Sequence, residues 1–497
     1  MTSYTMLRGA VCGAAILSAG AAAADVTAAE VWANWQNSFA MYGDDAVSNG
    51  SETMDGGTLT VSDVTVNWND GFSTVTASLG DWVFTDNVDG TVNVTTGPSF
   101  PIKISTKDGP DMTMTVDQSG LLMVASGTAD NVNYVISADQ YGLTLGDISD
   151  GDGTLDATIR VIANDVSGSY TSETGDMQTT TYDMTIASLD VLADGTPPEV
   201  AGDYFMLSGR ANDLTTQGMV SYPADADLSD TSFLLAEGIT MDASYTLGSS
   251  NYLFDVKLEG EQTSSTATTG PGLWSGAFSD SQMSYDSALA DLKVALQGAS
   301  IPFPIELSAA QYGIGFNMPL APSDDLSDFG LNINLVDLAV NDMIWMLADP
   351  TGALPHDPAT LQLDLTGKAK ILMDMMNPDL DDVPDMPAEL AALTLNALKL
   401  KIAGAELNSE GSFTFDNTDL TTFDGFPRPT GDLTVRLNGA NALVDGLVAM
   451  GIIPQDQAMM GRMMMGMFVN VTGEDELTSK IEVTEDAQVI ANGQRIR

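Results

Sequence analysis

The sequence predicts a mainly β protein: a large curved antiparallel sheet system with an N-terminal aromatic helix and a few short apolar helices toward the C-terminus. Three observations carry this expectation. Apolar and polar residues alternate with period two through most of the chain from Thr58 to about Leu338, the spacing that sends successive side chains to opposite faces of a strand. The alternating runs are punctuated by turn formers such as Asp89-Gly90, Asp108-Gly109-Pro110 and Asp194-Gly195, which favours hairpins over strand-helix-strand units. Helical spacing is confined to the N-terminal segment and to short stretches from Asn341 onward.

At the start, Arg8, an apolar run from Gly9 to Gly20 and Ala22-Ala23-Ala24 before Asp25 follow the charged, apolar, small-residue order of a secretory signal. Cleavage is expected near Ala24, with the mature chain periplasmic or otherwise exported. The single cysteine, Cys12, lies inside that run, so the mature chain is held by core burial without disulfides. No later run reaches the roughly 18 apolar residues of a membrane-spanning helix.

The next segment reads as a helix over 25–43. Thr27-Ala28-Ala29-Glu30 is a capping box with Val26 and Val31 as its staple. Trp32, Trp35, Phe39 and Tyr42 recur on one face, and Gly43 supplies a stop. Such a face plugs the end of a sheet or, alternatively, clamps a ligand. A β-rich body is expected over 44–376, an acidic proline-containing loop over 377–387, and a strand-helix-helix-hairpin unit over 388–497 that continues the body. Asn341 to Pro350 reads as a short apolar helix, and Ile136 to Leu143 is echoed by Leu307 to Ile314. Two similar strands in one extended sheet explain the echo as well as a duplication does.

Charge excludes partners. There are 69 acidic and 17 basic residues, a formal net charge of −52, and such a field repels nucleic acid and anionic bilayers. Ten of the 17 basic residues lie from Lys368 onward, which makes the C-terminal region the least repulsive.

Reactive chemistry is sparse. His356 is the only histidine, so multi-histidine metal sites and cysteine-histidine nucleophiles are excluded from the mature chain. No nucleophile elbow, Walker loop or dinucleotide fingerprint occurs. Asp147, Asp150, Asp152 and Asp156 lie among glycines in a stretch that resembles half of a calcium loop, without its full ligand order or terminal glutamate. An acidic hairpin turn is the simpler reading. No other cofactor is expected.

The most unusual stretch holds six methionines between Met459 and Met467. Pro454 and Asp456 start a helix on which Met459, Met463 and Met467 stack at intervals of four, with Met460, Met464 and Phe468 on the adjoining stripe. Core packing by flexible side chains is the first reading, an adaptable lining for an apolar ligand or partner the second, and thioether capture of copper(I) the third.

The phrase from Asp342 to Gly367, with the aromatic N-terminal helix and the terminal Asn492-Gly493-Gln494-Arg495, resembles the alphaproteobacterial family known as domain of unknown function 2125. The resemblance implies an exported protein of unassigned activity and carries no site residues. The arrangement of strands around short apolar helices is also similar to that of large periplasmic β-rich lipid-handling proteins. The expected function is a non-enzymatic envelope protein that binds an apolar ligand or lipid through a sheet groove and its Met-rich helix. The alternative is a structural or assembly factor that binds a protein partner and no small molecule.

Overall fold

The period-two alternation becomes, in a computed structural model, one antiparallel sheet of 27 strands among the described residues. Those residues are 26–40, 46–69, 71–107, 111–149, 154–196, 202–224, 226, 238–375 and 387–497. The expected signal segment, Tyr42, Gly43, the Asp108-Gly109-Pro110 turn, Asp150, Asp152 and the acidic stretch before Pro387 lie outside them.

Helix α1 (Ala28–Ala40) opens the fold. The capping box forms: the Thr27 N–H donates to Glu30 Oε2 at 2.9 Å and the Glu30 N–H to Thr27 Oγ1 at 3.4 Å. Asp86 adds a carboxylate that accepts from the Ala28 N–H at 2.7 Å, which places negative charge where the helix dipole favours it. Val26 and Val31 are both buried, as a staple requires.

The first part of the sheet contains β1 (Val47–Ser48), β2 (Ser51–Asp55), β3 (Thr58–Asn69), β4 (Ser73–Asp86), β5 (Val92–Thr96), β6 (Ser99–Thr106), β7 (Asp111–Ser119), β8 (Leu122–Thr128) and β9 (Asn131–Ser149). Long strands β4 and β9 are bridged by two short pairs laid end to end, β5–β8 and β6–β7. Long hairpins then join β10 (Thr154–Thr174), β11 (Met177–Thr196) and β12 (Tyr204–Pro223). Asp194-Gly195 does not turn the chain. It lies within β11, opposite Thr158 and Ala157, because Gly195 makes room for the Phe205 ring, which a Cβ there would strike.

The split arrangement then recurs with β13 (Thr240–Leu247), β14 (Ser249–Leu258), β15 (Glu261–Thr269), β16 (Gly272–Ser279) and β17 (Gln282–Gly298). Here β13–β16 and β14–β15 bridge β12 and β17. A plain meander follows: β18 (Ile305–Pro319), β19 (Ser327–Val340), helix α2 (Asp342–Ala348), β20 (Ala359–Ile371), β21 (Ala388–Ile402), β22 (Ala405–Asp416) and β23 (Arg428–Asn438). The chain ends with α3 (Ala440–Ala449), α4 (Gln455–Met465), β24 (Asn470–Gly473), β25 (Glu476–Val483), β26 (Val489–Ala491) and β27 (Gln494–Arg495). Pairing of β20 with β21 carries the sheet past the acidic segment. Among the described residues no pairing joins the first strands to the last, so the sheet is open.

A line of bulges crosses this sheet. Asp63, Asp165, Asp213, Asp291 and Asp337 sit at mid-strand in the left-handed region, with φ between 50° and 53°, and each is followed by Val or Leu. Where the neighbouring strand is split, a glycine stands at the break. Gly248 donates to Asn212 O and Gly270 to Ala290 O, each at 2.9 Å. A Cβ on Gly248 would lie 2.8 Å from Asp213 Oδ2. Bulges of this kind bend and twist the strands that carry them, and their alignment concentrates the bend along one line. Aspartate tolerates the left-handed region better than most residues with a Cβ.

Asp213→Ala is therefore expected to lower stability by about 1 kcal/mol, while Asp213→Gly stays close to the parent. Urea midpoints at unchanged m-value test this; equal midpoints for the two variants would contradict a backbone origin.

Candidate functional site

Helix α1 lies across β3, β4, β5, β8 and β9 and makes the one large buried cluster among the described residues, with Val31, Trp32, Val61, Phe84, Val94 and Tyr134 at its centre. Trp32 Nε1 donates to Glu52 Oε1 at 2.9 Å, and the Tyr134 hydroxyl donates to Asn34 Oδ1 at 2.8 Å. Trp35 meets Trp82 edge-on, ring centroids 4.5 Å apart, a favoured aromatic geometry.

Beside this cluster the sheet and helix enclose an apolar cavity of about 530 Å³, within the range of small-ligand sites. Trp35 and Phe39 close it from α1; Leu79 and Trp82 of β4, Ile136 and Ala138 of β9, Val166 of β10, and Met184 and Ile186 of β11 form its floor. Its polar groups are few, and the buried Trp35 and Trp82 Nε1 groups have no hydrogen-bond partner. Gln118 Nε2 donates to Thr96 Oγ1 and to the Gly97 carbonyl, each at 2.5 Å. Burial pushes the Tyr141 hydroxyl upward, and it pushes Tyr134 and its stacked neighbour Tyr170 well above the ordinary tyrosine range. These phenols are neutral across the physiological range; Tyr141 lines the cavity and the other two lie in or against the cluster beside it, so the wall is uncharged.

The cavity opens onto a much longer surface. Directly opposed residues of antiparallel strands share a face, and the registers connect one side of the sheet without interruption. Ile136 is opposite Gly168, Gly168 opposite Met184, Met184 opposite Thr216, and the same row passes through Tyr245, Trp274 and Ser287 to Ile314. From Ile314 it continues through Ile333, Leu363, Leu398, Ser409 and Val435 to Ser479. A parallel row runs Tyr312, Leu335, Leu361, Leu400, Leu407, Leu437, Leu477. Fourteen strands at about 4.8 Å spacing span roughly 60 Å. Away from α1 this face is exposed in its middle and closed toward its end: Tyr312 is 49% exposed and Leu400 38%, whereas Ser409, Leu477 and Ser479, near and beyond α3, are buried.

The opposite face is polar. Asn334, Gln362, Asp364, Asn396 and Arg436 line a hollow of about 370 Å³ there. Gln362 Nε2 donates to Asn334 Oδ1 at 3.1 Å and Asn396 Nδ2 to Asp364 Oδ1 at 3.0 Å, so these side chains already serve one another.

The residues singled out from the sequence fall elsewhere. Met459, Met460, Met463 and Met464 lie on α4, but Gly466 ends the helix, leaving Met467 and Phe468 in the following turn. All six are exposed, from 39% for Phe468 to 71% for Met463, so the helix does not pack them into a core. Asp147 and Asp156 lie on β9 and β10, and Asp150 and Asp152 between them are outside the described residues. His356 is exposed and stacks on Trp345, centroids 4.6 Å apart and planes 6° from parallel. Sequence reasoning singled out the aromatic face of α1 as a plug or clamp but missed the cavity floor. Its one local signal is the pairing of small residues, Ala138 and Ala163, with large ones on strands facing that helix.

At the far end of the sheet, polar side chains secure the short helices. Asp475 accepts from the Asn441 and Ala442 N–H groups, each at 3.0 Å, and caps α3. Asp349, 2% exposed, accepts from the Leu354 N–H at 2.7 Å and from Thr351 Oγ1 at 2.8 Å. Burial alone would raise its pKa, but the donors from Leu354, Ala353 and Thr351 prevail and bring it to about 2.

The fold and cavity define a single-sheet β protein with an apolar, uncharged cavity. Residues 254–485 match the family described as "Uncharacterized protein conserved in bacteria (DUF2125)", the family to which the Asp342 to Gly367 phrase points. The match covers that phrase and runs from within β14 to just past β25; α1, the cavity and Asn492 to Arg495 lie outside it. No curated protein matches the chain.

Since the Asp349 carboxyl titrates near 2 in the fold against an ordinary 3.8, its stabilisation is complete above 3.8 and is lost as pH falls through about 2. Amide exchange at Leu354 should show protection at pH 5 that fades toward pH 2. In Asp349→Asn that protection should already be weak at pH 5.

Proposed function

We propose that the protein binds a lipid-like apolar molecule, through an acyl chain or comparable hydrocarbon, in the cavity under α1 and on the apolar face that extends from it. The observation that carries this reading is the coincidence of a cavity of about 530 Å³ with a face whose rows continue across the sheet and leave large side chains such as Tyr245, Tyr312 and Leu400 exposed. A sheet ordinarily buries its apolar face against another layer, and exposed apolar surface on this scale marks a binding region. The uncharged wall suits a neutral hydrocarbon group and offers no positioned acid, base or nucleophile, so the role assigned is binding and not catalysis. The setting assigned is the cell envelope, on the strength of the signal-like order from Arg8 to Ala24.

Met184 is half-buried in the cavity floor, so a carboxylate there would be desolvated by any hydrocarbon that enters. Titration with a fluorescent neutral acyl ester below its aggregation threshold should show saturable uptake. Met184→Asp is expected to weaken that uptake by about tenfold or more, with Met184→Leu close to the parent. Absence of uptake by the parent, or equal uptake by both variants, would remove the proposal.

A further inference from the structure

We infer that helix α4 docks the protein on a lipid surface of neutral, zwitterionic headgroups. This rests on the reading of the apolar face as a hydrocarbon-binding surface and assigns the partner at its far end. On α4 only Ala458 is buried. The helix is held by its polar side: Arg462 Nη2 donates to Asp445 Oδ1 at 2.6 Å and to the Asn441 carbonyl at 3.0 Å, both on α3. Met459, Met460, Met463 and Met464 are thereby left 55–71% exposed. Unbranched, polarizable methionine side chains adapt to an irregular apolar medium.

Two further observations choose the occupant. One is continuity with the apolar face. Just past α4 the Phe468 carbonyl accepts from Ser479 Oγ at 2.7 Å, and Ser479 ends the row that passes Ile314, Ile333, Leu363 and Val435. Val471 is then opposite Leu477, the end of the parallel row. The exposed methionines therefore adjoin the last strand of the two rows, at the end farthest from the α1 cavity, where Leu477 and Ser479 are themselves buried.

The other observation is charge. Asp445, Asp456, Glu474, Asp475 and Glu476 lie on or beside α3 and α4, and Arg462 is the one basic side chain between Leu437 and Ser479. Asp445 is paired with Arg462 and Asp475 caps α3, but the surplus of acid beside an apolar helix still opposes a second copy of this chain and an anionic bilayer, both of which bring like charge. It complements the outermost ammonium group of a phosphatidylcholine or phosphatidylethanolamine headgroup. The methionines then enter the headgroup-acyl boundary as an interfacial helix does.

Vesicle co-sedimentation of the full chain tests this. Binding is expected to phosphatidylcholine vesicles and to decline, most at low salt, as phosphatidylglycerol is added. Met463→Ser with Met464→Ser should weaken vesicle binding by about tenfold or more, with uptake of the soluble acyl ester into the cavity unchanged. Loss of ester uptake by the parent would count against the binding function itself, and vesicle binding is scored apart from it. The docking inference is overturned by absence of vesicle binding, by undiminished binding of the double variant, by stronger binding to anionic vesicles, or by a parent dimer that the double variant dissolves, which would make α4 a subunit interface.

Discussion

Everything in this molecule depends on the unbroken register of its sheet. Because directly opposed residues share a face, the pairing from β9 to β25 sets aromatic, methionine and leucine side chains on one side, and Asn, Gln, Asp and Arg side chains on the other. A slip of one residue in any strand would reverse its faces. Helix α1 covers the apolar side at one end, and the deeply buried aromatic cluster is found beneath it. Elsewhere apolar area stays in contact with solvent, forgoing about 25 cal/mol for each Å² that burial would contribute. The polar face and a net charge of −52 oppose association of the exposed side.

The aligned bulges and split strands serve that arrangement. An antiparallel sheet of this width does not stay flat, and a bend placed at random would break the apolar rows. The left-handed aspartates place it at the same level in strand after strand, and glycine at each break lets the neighbouring strand pass the aspartate side chain. Two long strands bridged by two short pairs occur twice, at β4 to β9 and at β12 to β17. The second of these regions is where the DUF2125 match begins.

Much of the architecture was legible locally. Period-two alternation, the Thr27-Glu30 capping box and the apolar run of α2 depend on residues close in sequence, and each formed. Two features did not follow from local pattern. Asp-Val and Asp-Leu at mid-strand look like strand ends, because aspartate favours turns; their role emerges only when five of them align across the sheet. Asp194-Gly195 misleads in the opposite direction, since its glycine answers to the Phe205 ring on the adjacent strand. The cavity floor was hidden for the same reason: Leu79, Ile136, Val166 and Met184 come from four strands and meet only through register. For α4, periodicity reveals a methionine face but not what covers it. Coverage is decided by α3, which grips the helix through Arg462 and leaves that face outward.

The two ends of the apolar face differ in physical character, and the difference bears on what each can do. Under α1 the walls include aromatics locked by an edge-on contact, Trp35 on Trp82, backed by the buried stack of Tyr134 on Tyr170. Such a wall selects by shape. At α4 the side chains are flexible and exposed, and the nearby polar groups are committed to structure, Asp475 to the α3 N-terminus and Arg462 to Asp445. Such a surface accepts a fluid neighbour without discriminating its shape. The face is therefore asymmetric, with a shaped recess at one end, deformable methionines at the other, and between them rows of apolar side chains interspersed with Gly168, Thr216, Ser287 and Ser409.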